Sequence, residues 1–303
     1  YYHGVKKDEV NIYNRFKEPI YYNLVSQIMD EEKRAALYKN YTFDITSVTD
    51  DRPFFFHFLK WNKITEVYRI SGEKWQIFIE GGYLLPIIFI QALAASAVFI
   101  VFPLFIKQGR MLFTQKKETI KYLGYFFFIG IAFMFVEISL IQKLILFLDH
   151  PVYAVTAVLF SILVFSGIGS LISKYYAGNN SLFKIISALA IVLVIMTIAL
   201  PYAVNLFLGN SLILRAVITL SILCPIAILM GMPFPIGMRM LGEKGKEIIP
   251  WAWCVNGAAS VISSIFAIII AMSFGFNAVL FLAAFTYLAA GALIKPFDRK
   301  SLQ

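Results

Sequence analysis

Hydrophobic and polar positions divide the chain in two. Up to residue 79, charges of both signs recur every few positions. From Gly81 onward, apolar residues continue for twenty or more at a time. A helix needs about 20 apolar residues to cross the hydrocarbon of a bilayer. Seven runs reach that length, at roughly 82–106, 121–146, 151–174, 183–207, 211–240, 250–273 and 275–294. The last two are separated by a tight turn near Gly275. In the polar part, PIYYNLVSQIMDEEKRAALYKN (19–40) places Leu24, Ile28, Ala35 and Leu37 at helical spacing. The next stretch, YTFDITSV (41–48), alternates as a short strand does. The pattern predicts an all-α polytopic membrane protein, with about seven transmembrane helices preceded by a small polar α+β segment. Residues 1–79 form the head, and 80–303 the transmembrane domain.

Composition agrees. The 303 residues are 59% hydrophobic and 15% charged, whereas soluble domains run at about 45–50% and about 25%. The head is nearly balanced in charge, and most of the net +9 comes from the apolar remainder. There it sits in short basic clusters between the runs. Such clusters are topology signals before they are nucleic-acid sites, so the expected partner is a lipid bilayer and not a nucleic acid. Lys107, Arg110, Lys116, Lys117 and Lys121 separate spans one and two. Lys174 and Lys184 separate three and four. Arg239, Lys244 and Lys246 separate five and six, and Lys295, Arg299 and Lys300 follow span seven. The opposite connections, FLDHP (147–151), LFLGN (206–210) and the turn near Gly275, carry no Lys or Arg; only Lys143 and Arg215 lie near them. Four connections thus place the C-terminus in the cytoplasm and, with seven spans, the head outside. Cys224 and Cys254 fall inside apolar runs, where they read as small buried hydrophobes. The chain opens on Tyr1, so processing or further upstream sequence is expected.

Several segments carry candidate chemistry. In GIAFMFVEISLIQKLILFLDHPVYA (130–154), Glu137 stands mid-span, where a carboxyl is costly unless it faces the bundle interior or is neutralised. Gln142 and Lys143 follow within two turns. This reads as a proton or cation site, or as a structural polar contact. DHP (149–151) reads as a turn, with Pro151 opening a helix. SGIGS (166–170) reads as a close helix contact and not a phosphate loop, because no strand precedes it. CPIAILMGMPFPIGMRML (224–241) places Pro225, Pro233 and Pro235 inside one span, which should break or kink it; the freed carbonyls then line a cavity or mark a static kink. PWAWCVNGAASVISS (250–264) offers Trp251 and Trp253 at interface depth, and Asn256 as a polar ligand or an interhelical hydrogen bond. In TSVTDDRPFFFHFLKW (46–61), Asp50 and Asp51 can cap or pair with Arg52. Phe54, Phe55, Phe56, Phe58 and Trp61 then form an interfacial anchor, with Lys60 and Lys63 near lipid phosphates. The head contains no glycine-rich phosphate loop and no strand–loop–helix unit large enough for a nucleotide.

TDDRPFFFHFLKW, GIAFMFVEISLIQKLILFLDHPVYAV, SGIGSLIS, GMPFPIGMRML and PWAWCVNGAASVISSIFA, in this order, resemble the membrane-embedded spermidine-synthase-like proteins of bacteria. In that family an aminopropyltransferase- or methyltransferase-like domain is joined to several transmembrane helices. The resemblance covers nearly all of the chain. It implies a bacterial inner-membrane protein, with residues 1–60 as the tail of an upstream transferase-like domain. It brings no catalytic residue onto this chain and no cofactor; an S-adenosylmethionine-type ligand belongs only to an upstream domain. A domain using a cytosolic nucleotide belongs in the cytoplasm, whereas the loop charges place the head outside. Either span one does not cross fully, or the upstream domain is extracytoplasmic; the four agreeing connections favour the latter. Three functions follow as expectations. The leading one is an anchor or membrane partner for a transferase-like domain, not itself catalytic. The others are a proton-coupled carrier using Glu137, the Pro-rich fifth span and Asn256, and a non-catalytic subunit of a larger membrane complex.

Overall fold

The computed structural model describes residues 17–55, 58, 60–71, 84–103, 106, 116–176, 178–243 and 246–294. The chain forms two compact units. Tyr1–Val48 and Phe54–Leu84 make the first, and Thr49–Pro53 with Leu85–Gln303 the second.

In the first unit, the helical stretch 19–40 is split at Asp30 into α1 (Ile20–Met29) and α2 (Glu31–Asn40). The Asp30 backbone is extended, and its carboxylate accepts the Lys33 N–H at 3.2 Å. A capping acid followed by Glu31 and Glu32 in the first turn starts a new helix here. The far end of α2 is closed by Lys60, whose ammonium donates to the carbonyls of Tyr38 at 2.5 Å and Tyr41 at 2.8 Å. Lys60 is thus a helix cap, not a free lipid contact. Lys63 pairs with Glu66 at 2.7 Å on α3 (Ile64–Ser71), around a small core of Val67, Phe43 and Ile64. The expected strand at 41–48 is absent: among the described residues there is no strand, only an isolated bridge between Thr49 and Arg52. An alternating octapeptide with no second strand beside it takes its backbone bonds elsewhere. Asp44 N–H donates to the Phe58 carbonyl at 3.0 Å, and Thr46 N–H to the Asp44 carboxylate at 3.0 Å. The described residues of the head are therefore helical and irregular, and the expected α+β character is not seen among them.

Among the described residues, seven helical segments are long and apolar enough to cross a membrane: Leu84–Val101, Thr119–Leu144, Pro151–Tyr175, Asn180–Phe207, Leu212–Gly242, Ile249–Phe274 and Phe276–Ile294; from Leu85 onward they belong to the second unit. All seven expected runs are present, with ends shifted by a few residues. The helices are α4 (Leu84–Ser96, continued by a π turn at Ala97–Val101), α5 (Lys116–Leu144), α6 (Pro151–Ile172), α7 (Asn179–Phe207), α8 (Leu212–Met230), α9 (Pro233–Gly242), α10 (Ile249–Phe274) and α11 (Phe276–Ile294). Helix α5 is the axis. It packs along both α10 and α11, while α6 packs along α8 and α7 along α11. Its residues Tyr125, Phe126, Phe135 and Leu140 are fully buried.

Small residues set the closest approaches. A Cβ on Gly169 of α6 would collide with the Ile228 carbonyl of α8, and one on Gly231 would collide with the Ser166 backbone. The SGIGS segment is therefore a backbone-to-backbone contact between α6 and the end of α8. The fifth span breaks, but not at every proline. Pro225 lies inside α8 without ending it; the helix stops at Met230, and Pro233 opens α9 at its first turn. That position needs no N–H, so proline fits there.

Candidate functional site

Among the places in the second unit where described polar groups gather, two bear on function. The first is at the end of the bundle where α5 stops and α10 turns into α11. Thr49–Pro53 forms a tight turn, closed by the Arg52 N–H donating to the Thr49 carbonyl at 2.9 Å. The Asp51 carboxylate accepts from the Lys143 ammonium at 2.7 Å and from the Asn277 N–H at 2.9 Å. Lys143 also donates to the Asn277 side-chain oxygen at 2.9 Å, and the Phe276 N–H donates to the Asp51 carbonyl at 2.9 Å. The turn at Gly275 has φ +85°, and a Cβ there would strike the Asp51 carboxylate. A left-handed glycine is thus required both for the turn and for the approach of Asp51. Lys143 is 8% exposed, so its charge is compensated almost wholly within this cluster.

A matching pair lies at the same end. Arg215, in the first turn of α8, is buried and donates to the Phe147 carbonyl at 2.9 Å and to both carboxylate oxygens of Asp149. The guanidinium holds the Asp149 carboxyl below its ordinary range by hydrogen bonding. His150 caps α6 through Nδ1, which accepts the Val152 N–H at 3.3 Å, and Pro151 takes the first helical position. The two cations that lay against the loop-charge pattern, Lys143 and Arg215, are thus each paired with an acid.

The second place is a cavity of about 430 Å³ between α5, α6, the α8–α9 break and α10. Gly231, Pro233 and Pro235 of the broken span line it, together with Gly130, Asn256 and Tyr287. Asn256 lies directly over Gly130 and donates to the Phe126 carbonyl of α5 at 2.9 Å. It is an interhelical hydrogen bond that also faces the cavity. Tyr125, beneath the break, donates to the Pro233 carbonyl at 2.7 Å. One carbonyl near the break is thereby satisfied from another helix, as a break within a membrane requires. Tyr287 is 1% exposed, and its hydroxyl has no hydrogen-bond partner among the described residues.

The sequence-predicted polar residues do not converge. Asn256 lines the cavity; Glu137 and Gln142 do not. Glu137 is half-buried, with no hydrogen-bond or ion-pair partner among the described residues. It lies four positions from Phe133 and three from Met134, on the cavity-lining face of α5 and about 5 Å beyond the last lining residue along the helix. Gln142 points about a third of a turn away. Asp51 pairs with Lys143, not with Arg52 as the local sequence suggests. Phe54 is half-buried, while Phe55 and Trp61 are exposed; Phe56 lies outside the described residues, as do Lys107, Arg110, Lys295, Arg299 and Lys300. Trp251 is buried in the bundle, and its neighbour Trp253 is exposed and stacked edge-on against Phe234 at 4.7 Å. Cys224 and Cys254 are free and half-buried. No cluster of three His, Cys, Asp or Glu is present among the described residues. The Asp51–Lys143 and Asp149–Arg215 pairs and Tyr287 were not singled out as sites in the sequence. Only the two stray cations hinted at the pairs, because an unpaired cation at that end is costly.

Comparison of the chain with protein-family models, with curated proteins and with solved structures finds no match.

Proposed function

We propose that the membrane bundle is a holding domain, which fixes the chain segment Thr49–Pro53 to one end of the helices and so positions the polar chain before it. The carrying observation is the Asp51–Lys143–Asn277 cluster, which makes this turn part of the bundle and not of the head. The resemblance to membrane-embedded spermidine-synthase-like proteins supplies the cargo: a transferase-like domain preceding the turn, with any S-adenosylmethionine-type ligand belonging to that domain. The membrane is the bacterial inner membrane in this reading. The pairing of Lys143 and Arg215 supports the loop-charge orientation, with the C-terminus cytoplasmic and the turn outside.

The test is a protease site inserted between residues 72 and 83 of the membrane-inserted protein. After cleavage the N-terminal fragment should stay in washed membranes through the turn, and Asp51→Ala with Lys143→Ala should release it. Release of the unaltered fragment would remove the holding role.

A second reading is favoured by Glu137, an acid in mid-span with no partner among the described residues, on the face of α5 that lines the cavity. In that reading the bundle is a proton-coupled carrier. Proteoliposomes with a trapped pH dye separate the two. Glu137→Gln should abolish proton flux in a carrier and change nothing measurable in a holding domain.

A further inference from the structure

We infer that the cavity beside the α8–α9 break binds an uncharged lipid-soluble molecule, which enters sideways from the bilayer with a carbonyl- or hydroxyl-bearing end first. This goes beyond the holding role and stands independently of it. The rim is exposed along α6, where Leu163 is 70% exposed and Gly167 and Ser170 are also open. Across from it, Trp253 of α10 is 59% exposed. In a spanning bundle such a rim faces acyl chains, so the route in is lateral. The floor is buried: Ile129, Met230 and Tyr287 are each less than 5% exposed.

The lining selects the ligand. Among the described residues it contains no charged side chain, and an ion moved there from water would lose its hydration without compensation. It offers hydrogen-bond donors instead. Among the described residues the Tyr287 hydroxyl at the floor has no hydrogen-bond partner, and the Asn256 side chain spends one N–H on the Phe126 carbonyl, which leaves its other donor and its oxygen. An uncharged head with oxygen acceptors satisfies these groups, and Phe133, Phe234 and Trp253 suit a flat or carbon-rich body. An acylglycerol and an isoprenoid quinone both present this chemistry.

The test is photo-crosslinking of the full chain in nanodiscs, using a diacylglycerol with a diazirine near its ester groups and mapping labelled peptides by mass spectrometry. Label should concentrate on 129–134, 163–170 and 253–260. Unlabelled dioleoylglycerol and a decyl-benzoquinone form the two competing arms, and displacement by either identifies the source. Phosphatidic acid and a long-chain alkylamine should not displace it. Tyr287→Phe should raise the half-saturating concentration about tenfold, as loss of one buried hydrogen bond does. A Cβ at Gly167 meets nothing within 4 Å, and the position is exposed on the cavity rim, so Gly167→Leu should fold normally, plug the mouth and abolish the focused labelling. Even labelling of lipid-facing positions such as Ile195 and Ile213, unchanged labelling in Gly167→Leu, displacement by the charged lipids, or displacement by neither neutral one would overturn the inference.

Discussion

Gly275 shows how one residue joins two demands. Its φ of +85° with an extended ψ costs a residue with a Cβ about 1–3 kcal/mol, and the added atom would push on the Asp51 carboxylate. Gly275→Ala should therefore lower stability by about 2 kcal/mol or more, and expose 49–53 to proteolysis while the helices persist. Denaturation in detergent, followed beside limited digestion, measures both. Asp149 makes a different demand, because its φ is +63° and Asn tolerates that conformation. Asp149→Asn thus removes charge without backbone strain and leaves Arg215 buried beside a neutral amide. The Asp149 carboxyl is depressed below 3.8 when folded. Its contribution is then complete above that ordinary value and disappears as pH falls through the lower folded one. The melting temperature of the wild type minus that of Asp149→Asn should be positive and flat at neutral pH, and shrink below about pH 4. A gap unchanged at low pH would show that the charge is irrelevant. The pairing of Asp51 was illegible in sequence for a physical reason. Arg52 stands next to it and satisfies the local reading, whereas its partner Lys143 is 92 positions away.

Helix length and helix contact differ in how far sequence reveals them. Seven spans were legible because hydrocarbon imposes a length that few other structures need. The contact at SGIGS was legible as small residues, but not which glycine touches what. One face of α6 meets α8 and another borders the cavity, and only the three-dimensional register assigns Gly169 to the first and Gly167 to the second. Their substitutions should diverge. Gly169→Ala forces a methyl into the Ile228 carbonyl and should cost about 3 kcal/mol, the upper end for overpacking. Gly167→Ala adds a methyl to open space and should gain up to about 1 kcal/mol from helix propensity. Equal effects in a detergent unfolding assay would contradict the packing described here. The break in the fifth span was legible too, but its position was not. Three prolines signalled it, and only the one following Gly231 and Met232 starts a new helix. The alternation at 41–48 misled because a strand exists only with a neighbour, and periodicity within eight residues carries no information about one.

The whole molecule rests on an asymmetry between its two ends. Lys143 and Arg215, cations at the Lys- and Arg-poor end, are held by Asp51 and Asp149. If Asp51 serves chiefly to neutralise Lys143, its loss should be worse than the loss of both. Breaking a buried pair costs about 3–5 kcal/mol, whereas replacing the pair is often nearly neutral. Asp51→Asn alone should therefore destabilise by about 3 kcal/mol, and adding Lys143→Met should recover most of it. An additive double variant would mean that the turn is held by its backbone bonds alone. The same asymmetry makes a prediction about orientation. Asp50, Asn210 and Lys174 are exposed. Asp50 adjoins the residue that contacts the α5 and α11 ends, Asn210 lies in the connection before α8, and Lys174 lies at the opposite end, after α6. In a variant with Cys224 and Cys254 replaced by Ala, single cysteines at these positions can be labelled in intact cells with a membrane-impermeant maleimide. Positions 50 and 210 should react, and position 174 should react only after permeabilisation. That outcome would put the turn, and the polar chain attached to it, on the extracytoplasmic side. The reverse would mean that the loop charges do not set the topology and that a cargo domain sits with cytosolic nucleotides. A split between 50 and 210 would contradict the contacts of Asp51 with Lys143 and of Arg215 with Asp149, which together put the turn, the end of α5 and the start of α8 on one side.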